Sequence, residues 1–546
     1  MGKRPDLSTL HLDLAARYAL YETHRFCIHL PPEASLIDEC GVPKSRLDAD
    51  TLATFLHEYT HFTHNVSTLA GFAAYELMLQ LVGAFSHALE DTGECNPDLL
   101  DSSLRADVQT ATRALVLLEG ACCLPKHPSF PTKVSVVSVV SRTERNGDVD
   151  FPVRTVCWEV TYRDTSVKHV GLPLGAHLIE EGIAYLLESA VRRGSLGFDT
   201  AWSPDTGVPL FPYIAYQTLC QFYAPNMSAL TAVRIGLLAL NFNRPGEALI
   251  KTLEYYASYR AKEQNDTSAC EALRASIAPG LAQMLGQART INLRAISSLF
   301  EERGLLQQGI RQVRQWFSDG LGTRELDIWF DLDWCSGQIL DEEGLSARLR
   351  SKIPCDVIQK RYGFDVPRDA LLSFAPARKD PRDRTLGGVR ALQAQQDFML
   401  GHLDVSTGFV KTGERGAGRG CPYFDVCVLR MRKDDPDTCE RRPWTLWNHD
   451  PTCWYGAAVA GTLGRVVQLD DLDEAGAHLD GPTRVDPIRD ACDGRINGWI
   501  TDECWSQHVE PLMEKHNDAL PGEEKKAVRD QIGHVLERLI RGHALP

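Results

Sequence analysis

The sequence predicts an α+β fold, predominantly helical, on three observations. A segment free of Pro and Gly runs from Thr51 to Ala70. Two β-branched runs, Val134–Val140 and Val153–Tyr162, flank the dipeptide Asn146-Gly147. Apolar residues then recur at 174, 178, 179, 183, 186, 187 and 191, the spacing of one helix face.

In chain order, Arg25–Leu30 reads as a strand stopped by Pro31-Pro32. Asp48 and Asp50 are candidate N-caps for the segment that follows. The apolar run Val66–Leu89 contains Glu76 and two glycines, Gly71 and Gly83, so it suits a core helix pair better than a membrane span. Helices should continue to about Leu118. The two β-branched runs with Asn-Gly between them predict a hairpin. The helix after it should carry Pro173 in its first turn and close at Arg192-Arg193-Gly194. Helices are expected over 211–260 and through most of 265–370, including Ile291–Glu302 and Leu305–Trp316. Charge, Pro and Gly between Ala375 and Gly388 predict a linker, Gly413–Gly420 a second flexible stretch, and Glu523–Arg541 a closing amphipathic helix. The expected organisation is a domain over 1–265, a helical region 266–375, exposed loops over 376–420 and a cysteine-containing region 421–546.

The chain has 546 residues, 43% hydrophobic and 24% charged, enough for two or three ordinary globular domains. Its net charge of −15 argues against general nucleic-acid binding and against docking on an anionic membrane. The start, Met-Gly-Lys-Arg-Pro-Asp-Leu, has no apolar signal core, and Asp6 stands where a myristoylation signal needs Ser or Thr. A cytoplasmic protein is expected. The 16 cysteines then read mostly as single thiols of a reduced compartment, among them Cys27, Cys95, Cys157 and Cys220. Cys421, Cys427, Cys439 and Cys453 stand apart as candidate ligands of a structural Zn²⁺ or, as second choice, an iron–sulfur cluster. Their spacing matches no tight Cys-x-x-Cys ribbon, and plain thiols are the alternative.

The chemistry concentrates in His57-Glu58-Tyr59-Thr60-His61. Residues four apart stack on one helix face, so both imidazoles can reach one divalent ion, with Glu58 turned toward the water on it. Apart from Glu58, no residue from Thr51 to Val66 carries a fixed charge. The pentad in this uncharged setting resembles the HExxH motif of the zincin metallopeptidases. The resemblance, about a dozen residues long, implies a zincin-like catalytic domain with a small mixed sheet, Zn²⁺ held by His57 and His61, and Glu58 as general base. The bland alternative is a buried helix with two satisfied histidines.

A catalytic zinc takes a third protein ligand. His64 lies seven residues from His57, about 10 Å along the helix axis, too far to join His57 and His61 on one ion. His64 and Ser67 also stand where the metzincin branch would place Gly and His. Further on, Glu181-Gly182-Ile183-Ala184 resembles the Glu-Gly-x-Ala signature of the gluzincin branch, which implies Glu181 as the third ligand. Gly182 and Ala184 would then allow close approach to the motif helix, and Glu188 could orient a histidine N–H. The carboxylates Glu180, Glu181 and Glu188 could instead line a solvated face. Other candidates are Glu76, if the chain turns back between Asn65 and Gly71, then Glu119, and His177 one turn before Glu181.

Tyr213, Tyr216 and Tyr223 are candidate hydrogen-bond donors to an oxyanion, each otherwise a core residue. The hairpin, or the strand near Cys27, could bind a substrate peptide as an added strand, or serve packing alone. The expected function is zinc-dependent hydrolysis of a protein or peptide substrate, without nucleic acid or membrane. The rivals are a non-enzymatic interaction protein built on the cysteine module, and a zinc hydrolase of non-peptide amides, since deformylases use the same pentad.

Overall fold

In the computed structural model, the described residues are 19–462 and Pro511, except for 23–25, 37–43, 45–46, 91–92, 122, 147–148, 194–208, 264, 293–303, 336–355, 360–369, 374–384, 405–407, 411–420, 422, 424–434 and 442–452. The motif helix α1 (Ala49–Ser67) starts where the Asp48 carboxylate accepts the Thr51 backbone N–H at 2.8 Å. Its end is set by Thr68, whose hydroxyl donates to the His64 carbonyl at 2.7 Å and accepts the Gly71 N–H at 3.1 Å. One side chain thus closes α1 and caps α2 (Leu69–Phe85), and the two helices bend by 73°. Glycine is required at 71, where a Cβ would lie 2.1 Å from the Asn65 carbonyl oxygen. Among the described residues no single helix is long and apolar enough to cross a membrane.

The N-terminal strands β1 (Leu20–Glu22) and β2 (Cys27–Leu30) precede α1, and α3 (Ser102–Glu119) follows α2. The expected hairpin forms as β3 (Pro131–Asn146) and β4 (Val149–Tyr162), with Asn146 opposite Val149. A further strand, β5 (Val167–Pro173), pairs with β4 and puts Pro173 in a sheet. The next helix, α4 (Ala176–Arg192), therefore begins after Gly175 without a side-chain cap, rather than around Pro173. After a π-helical turn (Leu210–Ile214) come α5 (Ala215–Tyr223), α6 (Ala229–Leu240), α7 (Pro245–Glu263), α8 (Asp266–Gln287) and α9 (Gly304–Leu326). The expected segment Ile291–Glu302 falls almost wholly outside the described residues, as does the closing helix Glu523–Arg541.

Two departures concern the middle of the chain. Asp356–Gln359 (β6) and Ala370–Ser373 (β7) are strands, not helix, and complete a mixed sheet in the order β1-β2-β6-β7. β2 is antiparallel to β1 and parallel to β6. Paired on both sides, β2 has no free backbone edge, so the strand near Cys27 cannot accept an added strand. The second departure lies within the expected loops 376–420, where Thr385–His402 forms a helix, α10, ahead of the short strands β8 (Leu403–Asp404) and β9 (Gly408–Phe409). Val389, Leu392, Phe398 and Met399 of α10 are buried, and so are the polar Arg390, Gln393 and Gln395. Two of these polar side chains have partners inside: Tyr423 donates to Gln393, and Gln395 donates to Thr462 at 2.7 Å. Two short helices follow, α11 (Pro436–Arg441) and α12 (Trp454–Thr462).

Two buried apolar clusters organise these elements. The first joins Ile28, Leu56, Phe62, Phe317, Leu392 and Tyr455, from β2, α1, α9, α10 and α12. The second joins Trp158, Ile183, Tyr216, Leu238 and Leu273, from β4, α4, α5, α6 and α8. Among the described residues the first cluster runs from Tyr21 to Val459, across the expected boundaries at 265, 375 and 420. The motif helix belongs to the first cluster and most of α4 to the second. Their contact is the seam between the two cores, and the polar motif residues lie in it.

Candidate metal centre

Along that seam the helices run antiparallel and meet through polar side chains. His61 Nε2 lies 3.6 Å from Glu181 Oε1, and His57 Nε2 lies 3.4 Å from Glu181 Oε2. The other His57 nitrogen, Nδ1, donates to Glu188 Oε2 at 2.7 Å. Spacings of four and seven residues generate this ladder, since they return side chains to one helix face. His57, His61 and Glu181 are a group that can hold a metal ion, with one ligand atom from each lying within 4.8 Å of the others. It is the one such group among the described residues. Glu181 Oε2 is buried without a hydrogen-bond partner.

The electrostatics match the geometry. Burial alone would depress His57, yet its contacts with Glu181 and Glu188 raise it well above the usual imidazole value. Burial would likewise raise Glu181, but the two imidazoles hold it well below the usual carboxylate range. Glu58, 5% exposed, is pushed up by burial even though both histidines oppose the shift.

The remaining candidates fall elsewhere. The chain does bend at Thr68, but Glu76 on α2 does not join the ligand group; it is half-buried, and burial raises its pKa. Glu119 ends α3 and is also outside the group. His177 Nδ1 is 4.0 Å from Glu181 Oε1, beside the acid but not in the group. His64 is fully buried, with Nε2 3.5 Å from Asp331 Oδ1. Cys427 lies outside the described residues; Cys421, Cys439 and Cys453 are thiols and form no second three-ligand group among the described residues.

Of the three tyrosines, Tyr213 reaches the site. Its ring is 5.7 Å from that of His57 and 5.5 Å from that of Tyr185. Burial and then the negative charge of Glu181 raise its hydroxyl pKa, so it stays protonated. Tyr216 is a core residue, donating to the Ala232 carbonyl at 2.7 Å. Its ring explains Gly182, where a Cβ would lie 2.2 Å from a ring carbon. Gly182 thus admits Tyr216 rather than the motif helix. Sequence reasoning missed Arg192, which meets Glu188 Oε1 at 2.8 Å and lies four residues beyond it on α4. The i, i+4 Glu–Arg spacing was the available signal.

No family model, curated protein or solved structure matches this chain.

Proposed function

We propose that this chain is a zinc-dependent peptidase with His57, His61 and Glu181 as ligands. One observation carries the reading. Two ligand atoms about 2.1 Å from a zinc ion at a tetrahedral angle stand about 3.4 Å apart. His57 Nε2 lies 3.4 Å from Glu181 Oε2 and His61 Nε2 lies 3.6 Å from Glu181 Oε1. One ligand atom from each of the three residues falls within 4.8 Å of the others, and the buried Glu181 Oε2 has no hydrogen-bond donor. Three protein ligands leave the fourth position open, as in catalytic rather than structural sites. The zincin-like pentad and the gluzincin-like Glu181-Gly182-Ile183-Ala184 agree with that ligand set.

Zinc supplies a Lewis acid that polarises the scissile carbonyl and makes water nucleophilic near neutral pH. The protein does the rest. Glu58, adjacent to His57 and raised by burial, accepts a proton from the attacking water and passes it to the leaving amine. Tyr213 keeps its proton beside the carboxylates and can donate a hydrogen bond to the developing oxyanion. Glu188 holds His57 Nδ1–H, leaving Nε2 for the metal.

The test combines metal counting with turnover of a denatured-protein digest. Wild type should carry one zinc at this site, His57→Ala should lose it, and Glu58→Gln should keep it while losing about 10²–10⁴-fold in rate. Full proteolysis by zinc-loaded Glu58→Gln would rule out the assigned base. Turnover of small amides alone would turn the reading toward a non-peptide hydrolase.

A further inference from the structure

The contacts around Glu188 assign a role to a residue outside the ligand set. Its two oxygens are shared between different partners: Oε2 accepts from His57 Nδ1 at 2.7 Å, and Oε1 accepts from Arg192 Nη2 at 2.8 Å. Arg192 Nε in turn lies 3.4 Å from Asp50 Oδ1, in the first turn of α1. Asp50 and Arg192, His57 and Glu188, and His61 and Glu181 are thus three successive rungs between α1 and α4.

We infer that Arg192 is a positioning residue for the metal centre: by gripping one oxygen of Glu188 it fixes the other on His57 Nδ1–H and keeps His57 Nε2 turned toward the ligand position. The inference rests on the zinc reading above.

Rotation of the Glu188 carboxylate is what Arg192 restrains. A Glu carboxylate turns easily about its last torsion, a broad and shallow one. Held at one oxygen only, Glu188 would present either oxygen to His57 or swing outward. A charge-assisted bond at the second oxygen removes that freedom. Arg192 is suited to this by place: its side chain is 35% exposed and Glu188 only 13%, so the guanidinium stays hydrated while its tip reaches inward. It also stands in the last turn of α4, where the helix dipole favours a cation. Asp50, 86% exposed, contributes orientation more than energy. Groups that orient a metal-bound histidine typically change metal affinity 10–100-fold, and Arg192 stands one partner further out.

A double-mutant cycle on the full chain tests this, with zinc release to a chromogenic chelator as the readout. Arg192→Met should release zinc about 10-fold faster, near the lower end of that range. Arg192→Lys should recover most of the loss, because a single nitrogen of Arg192 meets Glu188. In a Glu188→Gln background, where the paired charge is gone, Arg192→Met should add less than about twofold. Equal acceleration in both backgrounds would mean that Arg192 acts by some other route, and release from Arg192→Met within twofold of wild type would overturn the inference alone. A wild-type chain that takes up no zinc would overturn the metal reading and this inference together.

Discussion

The motif helix carries two buried polar clusters, and they differ in one respect. Toward α4 it presents His57 and His61 to Glu181 and Glu188, with the buried Glu58 beside them, and the permanent cation there, Arg192, sits at the solvent edge. Toward α9, one turn further along, it presents His64 and Ser67 to a pair enclosed in the protein. Arg324 and Asp331, each 1% exposed, form an ion pair, and Arg324 also donates to Ser67 Oγ at 2.8 Å and to the Ile328 carbonyl at 2.9 Å. The second cluster contains its own fixed positive charge; the first has three carboxyl groups around two imidazoles and an orphaned oxygen. A buried acid without a fixed cation calls for a bound one, whereas the charge of the second cluster is balanced within the fold, although His64 Nδ1 and Nε2 and Arg324 Nε are buried there without a hydrogen-bond partner. The same helix thus has a side that could hold a metal ion and a structural side.

That contrast can be broken experimentally, beginning with the largest effect. Glu181→Gln should weaken zinc about 10³-fold, roughly 4 kcal/mol, by competition against a chelator of known affinity. Little change in fold should accompany it, and a global loss of helicity in the metal-free variant would place Glu181 with the structural group. Arg324→Met should do the reverse. It strands Asp331 in the core and should lower unfolding free energy by about 3 kcal/mol or more in urea titrations. Zinc should still add the wild-type increment of unfolding free energy, since ligand stabilisation depends only on affinity and concentration.

A smaller effect sharpens the boundary between the two roles. Gly182 is next to the proposed ligand Glu181 but its contact is with Tyr216. Gly182→Ala should cost about 2 kcal/mol of stability through overpacking while zinc stoichiometry stays at one. The smallest concerns acid. Burial holds His64 below its ordinary value against the pull of Asp331, while Arg324 and His64 hold Asp331 below its own despite burial. Both groups therefore bind protons more readily in the unfolded chain. Their stabilising effect is full above about pH 6.5 and is lost on acidification, that of His64 first and that of Asp331 below about pH 4. His64→Gln should flatten the stability curve below about pH 6.5, read from denaturation midpoints.

What the sequence disclosed followed the range of the interactions. His57, Glu58 and His61 were legible because their relation is local, two positions on one turn of helix. The Glu181 helix was legible because its apolar period and its Glu-Gly-x-Ala run lie within one short segment. Tyr213 could not be told from Tyr216 and Tyr223, because the distinction depends on how the turn before α5 packs against α1 and α4. β6 is paired in parallel with a strand more than 300 positions away, a relation without local trace. α10 followed a stretch rich in charge, Pro and Gly, and its buried Gln393 and Gln395 find their partners Tyr423 and Thr462 only in segments that pack on it after folding.

One contact limits how this molecule can be dissected. A Cβ at Gly320 would lie 2.5 Å from the Val66 carbonyl oxygen, so α9 rests directly on the backbone of the last turn of α1. Any amino-terminal fragment that stops before α9 would expose that turn, with His64 and Ser67, to water. The smallest piece able to keep the two histidines in place must therefore extend beyond position 331, well past the point where the candidate ligands themselves end.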